Sequence, residues 1–377
     1  MSPSRPGILV LSDHLGHTHG QIHGATRYFL DVLPRISKEK FRLHVCFLRE
    51  EHPEADTLRC QGIQPIFLGK SKWDLTAYHD LVQLIRQHQI HLLHAAAMKS
   101  MLLGRLAARQ CGIPALIHFH DALPVSQPLL SAQRMLSSST AAGIAISRPV
   151  AEFAREVFRL SPEKIRILPN GIDLSAFKQA PREEAASLRR ELGIPAHHRV
   201  LLSVGRLDDV KDPLETLRIF YQVHQNFPES NLVFAGDGCL SAELLDTAAN
   251  LGIANAVHLA GHRKNIHTFY TLADIFIASP KYEGFGLAAA EAMACGLPIV
   301  AYAVGGIPDL IENGVSGFLI EPGNAAAASE TVQKLFADPS LVEQIATSAQ
   351  TRVLKFDVNR HVKQLESCYE EFLLPTP

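Results

Sequence analysis

Two glutamates, Glu283 and Glu291, bracket the turn Gly284-Phe285-Gly286 inside the stretch SPKYEGFGLAAAEAMACGLP, residues 279–298. The apolar run from Asp274 to Ser279 reads as a buried strand, the glycines as a loop and the alanines as the opening of a helix. Gly284 and Gly286 let the backbone approach a ligand closely, and the amides near Leu287 present N–H groups reinforced by the helix dipole. A phosphate fits such a place. Glu291 lies four residues beyond Leu287, on the same helical face and about 6 Å further along the axis, where a carboxylate could accept hydrogen bonds from a ribose. Glu283, ahead of the helix, would lie on the other side of the phosphates, beside the hydroxyls of a sugar. The same residues also suit a structural turn, with Ala288, Ala289 and Ala290 marking close helix packing.

Two cations stand in a comparable position. Arg206 follows the strand-like Leu201-Leu202-Ser203-Val204-Gly205, and Lys211-Asp212-Pro213 opens the next helix. Together they could reach a diphosphate, offset its charge and stabilise it as it leaves; the plainer alternative is a solvated strand-end pair. In the first half, residues 114–119 form a strand pattern ending in His118-Phe119-His120-Asp121, and alternation puts His118 and His120 on one face with Phe119 opposite.

These residues need a frame to hold them. Apolar runs predict strands at 7–11, 42–48, 64–68, 90–95, 114–119, 142–147 and 164–168, alternating with helical patterns such as 24–36, 75–89 and 100–111. Leu75, Tyr78, Val82 and Ile85 recur on one helical face. Ser147-Arg148-Pro149 reads as a helix N-cap followed by an early proline. A second series follows, with strands at 199–204, 231–235, 256–260, 274–279, 298–303 and 317–320 and helices between them at 213–227, 241–251, 265–273 and 286–295. Strand–helix alternation means parallel sheets, so the expected class is α/β, with two doubly wound Rossmann-like domains facing across a cleft. The expected division is an N-terminal domain over 1–173, a connector over 174–198, a C-terminal domain over 199–355 and a final helix over 356–377 packing back on the first domain. Ligands of such sheets bind outside the carboxyl ends of the strands, which is where the charged residues above fall.

The paired glutamates around G-F-G followed by E-A-M-A match the signature of glycosyltransferase family 4, and the chain resembles that family from about residue 16 to about residue 320. The resemblance implies a GT-B fold and a retaining, metal-independent hexosyltransferase that uses a nucleotide-diphosphate sugar as co-substrate and no cofactor. Members are often described as using a front-face route in which the leaving phosphate helps deprotonate the acceptor hydroxyl. Gly205-Arg206-Leu207 with Lys211 looks like the family's G-R-L…K segment; Gly236-Asp237-Gly238 is similar to its G-D-G turn; Ala260 to Arg263 is similar to a loop beside the nucleobase; and Gly305-Gly306 resembles its last glycine turn, here read as architecture near the site. His120 resembles the histidine that members place beside the donor sugar, and Lys164 to Asp173 resembles the junction between domains. The implied catalytic set is His120, Glu283, Arg206 and Lys211. The implied donor-binding set is Gly24, Arg206, Lys211, Gly236, Arg263, Glu283, Gly284, Phe285, Gly286, Leu287 and Glu291. One departure concerns the first loop, where members carry adjacent glycines and this chain has His23-Gly24, leaving Gly24 and, loosely, Gly20 for a phosphate approach.

His14, His17, His19 and His23 crowd that loop, but with Asp13 the lone nearby carboxylate a polar, acceptor-facing loop is the favoured reading over a metal cluster. Asp208-Asp209 read as turn and cap residues. At 377 residues, 47% hydrophobic, 20% charged and a net charge of −2, the composition suits a soluble two-domain protein and not a nucleic-acid binder. Six scattered cysteines without a C-x-x-C pair argue for a reducing cytoplasm, and no run reaches the ~18 apolar residues of a membrane span. A lipid-linked or glycan acceptor and peripheral membrane contact, through Lys99 to Arg109 with Met98, Met101, Leu102 and Leu103, follow by analogy, although a core-facing helix explains that segment equally well. A nicotinamide dehydrogenase is disfavoured because neither half has G-x-G-x-x-G after a strand. A nucleotide-sugar epimerase or hydrolase, or a non-catalytic sugar-nucleotide-binding protein, remain alternatives on the same fold.

Overall fold

The computed structural model describes residues 5–16, 24–71, 74–177, 180–263 and 265–373. The chain divides into two units: residues up to Gly171 together with those from Val358 onward, and Ile172–Asp357.

The first unit holds a seven-stranded parallel sheet of β1 (Gly7–Ser12), β2 (Arg42–Phe47), β3 (Pro65–Phe67), β4 (Ile90–Ala96), β5 (Ala115–Phe119), β6 (Ala142–Ala145) and β7 (Ile165–Ile167), in the order β3-β2-β1-β4-β5-β6-β7. Its central strands read as near-continuous apolar runs because helices cover both faces, and β1 is buried at all of its positions. Helix Ala77–Gln87 faces the core with Ala77, Leu81, Val82, Leu84 and Ile85. Leu75, expected on that face, is 69% exposed. It precedes the helix, in a turn where the Asp74 carboxylate accepts bonds from the Thr76 amide (2.8 Å) and hydroxyl (2.6 Å). Ser147 does stand at the N-cap of Arg148–Glu156, yet its buried hydroxyl makes no hydrogen bond among the described residues.

The last helix, Val358–Leu373, belongs to this unit's core through Val358, Val362, Leu365 and Tyr369. Polar ties fix its register: the Glu366 carboxylate accepts the Ser37 amide at 2.8 Å and pairs with Lys40 at 3.3 Å, and His361 Nδ1 bonds the Pro169 carbonyl at 2.7 Å. Gly171 permits the approach. A Cβ there would lie 2.8 Å from both Val358 Cα and His361 Cβ.

The second unit has a six-stranded parallel sheet of β8 (Arg199–Val204), β9 (Ser230–Ala235), β10 (Val257–Leu259), β11 (Ile275–Ala278), β12 (Ile299–Tyr302) and β13 (Phe318–Ile320), in the order β10-β9-β8-β11-β12-β13. The described residues of the stretch 174–198, read from sequence as a connector, fold as part of this unit. Helix Arg182–Glu191 buries Ala185 and Leu188, and the Ala180 amide donates to Thr271 Oγ1 at 2.8 Å. Their charged composition hides a narrow apolar stripe. Among the described residues no helix is long and apolar enough to cross a membrane.

Gly171→Ala is expected to destabilise the protein by about 1–3 kcal/mol, the usual range for overpacking, seen as a lower urea midpoint. An unchanged midpoint would show that the last helix docks with slack at this point.

Candidate functional site

Both sheets reverse their strand order at one point, and in the second unit this point lies between β8 and β11. A cleft of about 460 Å³, open solvent included, sits there, lined by Gly205, Arg206 and Lys211 after β8 and by Ser279, Glu283 and Gly286 after β11. That is the crevice a doubly wound sheet leaves at its switch point. The Lys211 ammonium is bonded to the Glu283 carboxylate, and Arg206 pairs with Asp208 at 2.6 Å. Both cations therefore lie in the cleft already balanced by carboxylates. Asp208 also closes the turn by accepting the Lys211 amide at 3.1 Å, while Asp209 is exposed. Asp212 caps helix Pro213–Asn226 from a left-handed conformation at φ 46°, sparsely populated by non-glycine residues.

Helix Leu287–Ala294 begins beside Lys211 and Glu283 in the lining. Gly286 occupies its N-cap at φ 99° and brings no side chain to cap the first-turn amides. That arrangement is a ready anion site. The loop carrying Glu283 is clamped from behind: the Gly306 amide donates to the Glu283 carbonyl at 2.9 Å, and a Cβ on Gly305 (φ 52°) would lie 1.8 Å from that same oxygen. Gly236 and Gly238 serve the opposite wall. Cβ atoms there would lie 1.8 Å from the Gly205 carbonyl oxygen and 2.2 Å from that of Leu207, so the turn after β9 supports the loop that bears Arg206.

The remaining sequence candidates separate. Glu291 sits one turn along the helix from Leu287, and its carboxylate accepts a 2.7 Å hydrogen bond from the Tyr270 hydroxyl. Phe285 points into the core, 2% exposed, with its ring 5.5 Å from that of Phe356, so only its backbone faces the loop's ligand side. Arg263 is outside the cleft lining and pairs with Glu191 at 2.6 Å. Tyr270 was not among the sequence candidates. An aromatic residue at helical spacing reads as core, and its phenol finds Glu291 only across two helices.

In the first unit His120 follows β5 and stacks on His118, ring centroids 4.1 Å apart, while Phe119 packs oppositely against Phe158 at 4.8 Å. His118 Nδ1 bonds His94 Nε2 at 3.1 Å, His94 Nδ1 bonds the Tyr369 hydroxyl at 2.7 Å, and His361 Nε2 bonds the Tyr28 hydroxyl at 3.1 Å. Both ring nitrogens of His120 are shielded from solvent and have no hydrogen-bond partner among the described residues. Burial, reinforced by neighbouring imidazoles, pushes His94 and His120 down to about 3 and His118 well below its ordinary value; burial brings His361 down to about 4. All four are therefore neutral at pH 7. Gly24 opens helix Gly24–Val32, and His14 is half-buried, but His17, His19, His23 and Gly20 lie outside the described residues. Among the described residues no three His, Cys, Asp or Glu side chains are grouped to hold a metal.

Comparison with known proteins agrees with this layout. The model for glycosyl transferases group 1 matches residues 184–352, and that for Glycosyltransferase Family 4 matches residues 22–176. A D-inositol 3-phosphate glycosyltransferase of Thermobispora bispora is 31% identical over 306 residues, 75% of this chain and 71% of that one. The UDP-Gal:alpha-D-GlcNAc-diphosphoundecaprenol alpha-1,3-galactosyltransferase of Escherichia coli is 24% identical over 94% of this chain and 95% of its own. Anabaena HepE, solved in complex with UDP, superposes with a TM-score of 0.85 at 24% identity, covering 97% of this chain and 99% of that one. Two parallel sheets with alternating helices in this order are the GT-B architecture, and the protein is a glycosyltransferase. The chain belongs to glycosyltransferase family 4.

Two outcomes follow from the geometry. Gly305→Ala should destabilise by about 2 kcal/mol or more, because a backbone oxygen has nowhere to move, and hydrogen exchange should quicken at the amides of 283–286. The histidines set the acid limit. Their folded values lie below the ordinary 6.5, so from about pH 6.5 down to about 4 the unfolded chain binds more protons than the native one. Their contribution, whole above pH 6.5, is lost through that window at about 1 kcal/mol per histidine per pH unit. Calorimetry at pH 7 and pH 5 should show a clearly lower melting temperature at pH 5.

Proposed function

We propose that the protein transfers a hexosyl group, with retention and without a metal, from a nucleotide-diphosphate sugar to an acceptor hydroxyl in glycan, polysaccharide or glycolipid synthesis. The observation that carries this reading is the Lys211–Glu283 pair beside the uncapped helix start at Gly286. A diphosphate entering the cleft draws Lys211 and Arg206 to itself and takes the first-turn amides as further donors. Two cations and a helix N-terminus together meet the charge of a leaving nucleoside diphosphate, the task a divalent ion performs in other enzymes. Release from Lys211 frees Glu283 to accept from hydroxyls of the transferred sugar, and Glu291 is at the height of the ribose. On this reading the leaving phosphate takes the acceptor proton, as the front-face route requires. His120, neutral and with ring nitrogens that have no hydrogen-bond partner among the described residues, would bond a sugar hydroxyl.

The relatives support the substrate class. HepE was solved with UDP, and the name of the Escherichia coli enzyme specifies a UDP-galactose donor and a diphosphoundecaprenol-linked acceptor. A uridine nucleotide sugar and a lipid-linked or glycan acceptor are accordingly the first substrates to test, at the cytoplasmic face of a membrane. In helix Met98–Cys111, Met101, Leu103 and Arg105 are buried and Met98, Lys99 and Leu102 half-buried, so Leu106 and Arg109 are the exposed residues of that segment left for peripheral contact.

A thermal-shift panel of nucleotide sugars should identify the donor, since a ligand at 100 times its Kd stabilises by about 2.7 kcal/mol. With that donor, an acceptor and excess EDTA, turnover should persist, and Lys211→Ala should lower kcat by about 10²–10³-fold. Full turnover of the variant would remove Lys211 from the reaction. Sugar release or isomerisation with donor alone would instead mark a hydrolase or epimerase, and binding without turnover a non-catalytic protein.

A further inference from the structure

Tyr270 reaches Glu291, a residue of the proposed donor site, from a neighbouring helix. It sits on helix Ile266–Leu272, is 1% exposed and does not line the cleft. Its hydroxyl lies 2.7 Å from Glu291 Oε2 and 3.2 Å from the Ala288 carbonyl oxygen. Its ring is held edge-on to Phe177 at 6.2 Å and tilted against Phe276 at 6.3 Å, so the hydroxyl has little room to move.

We propose that Tyr270 is a positioning residue that fixes the Glu291 carboxylate for recognition of the donor's ribose, a role that rests on the reading of Glu291 given above. A glutamate has three side-chain torsions, and ordering them at the moment of binding weakens affinity. A buried phenol that already occupies one lone pair of Oε2 settles the rotamer beforehand. With the rotamer set, the carboxylate is presented at a fixed place along the helix to the two vicinal hydroxyls of a ribose. Because the phenol also reaches the Ala288 carbonyl, in the first turn of the same helix, it sets the carboxylate relative to the amides that would hold the phosphates. Ribose and phosphate recognition then share one rigid reference. The chemical class read in this way is a ribonucleoside diphosphate, distinguished from its deoxy analogues by both hydroxyls.

The test uses the full chain and the tightest binder among UDP, ADP and GDP, with its 2′,3′-dideoxy analogue as comparison. Wild-type protein should bind the ribonucleotide at least about tenfold more tightly than the dideoxy form, the scale of hydrogen bonds to a charged group. Tyr270→Phe keeps the ring and the packing. It should raise Kd for the ribonucleotide and KM for the donor sugar by about tenfold, leave kcat within about twofold, and shrink the discrimination against the dideoxy form by a similar factor. In a Glu291→Ala background the same change should have no further effect on Kd, whereas a structural role would add to the loss. Undiminished discrimination in Tyr270→Phe overturns the positioning role alone. Equal binding of both nucleotides by the wild type overturns the ribose reading of Glu291, and absence of binding by all three nucleotides overturns the donor site itself.

Discussion

The carbonyl oxygen of Glu283 lies where any side chain on Gly305 would have to be, and the amide of Gly306 bonds that same oxygen. Much of the second unit's cleft depends on this contact between two bare backbones. It sets the height of the Glu283 loop above the helix start at Gly286 and brings the Glu283 carboxylate to Lys211. The opposite wall repeats the device, with Gly236 and Gly238 against the carbonyls of Gly205 and Leu207. A cleft whose walls are braced backbone to backbone is stiff because a peptide has few ways to yield, and stiffness is what the proposed electrostatic recognition of a diphosphate would require.

Charge in the cleft is balanced before any ligand arrives. Lys211 is neutralised by Glu283 and Arg206 by Asp208, so neither cation stands unpaired in a partly desolvated place. In the proposed function an incoming anion would exchange partners with them, and the carboxylate it displaces would become free to accept from hydroxyls. Binding and exposure of Glu283 would then be one event.

The first unit is organised differently, around polar groups shut inside its core. Tyr369 and His361 carry the last helix into a chain of rings that runs through Tyr28, His94 and His118 to His120. Burial keeps the imidazoles neutral, and their hydrogen bonds specify the register of a helix that apolar contacts alone would allow to slide. The sensitivity to acid is the counterpart of that specificity.

By itself the sequence determined the strand and helix pattern of both sheets, and with it the strand ends where chemistry would gather, because a parallel sheet covered on both faces demands apolar runs of the right length. It also determined the Glu283 to Glu291 motif and the two cations after β8, since spacing along one strand–loop–helix unit is local. The place of Leu75 was misread because an apolar residue one step before a helix cannot be told from one in its first turn. The folding of residues 174–198 into the second unit was hidden by charges that surround only two buried positions, Ala185 and Leu188. What tertiary structure alone decided are the partnerships across elements: Lys211 with Glu283, Arg263 with Glu191, Tyr270 with Glu291, and His94 with Tyr369, 275 residues away in the chain. Such pairs depend on how helices and loops stack in space, and no periodicity along the chain encodes which distant side chain will meet a buried hydroxyl or carboxylate.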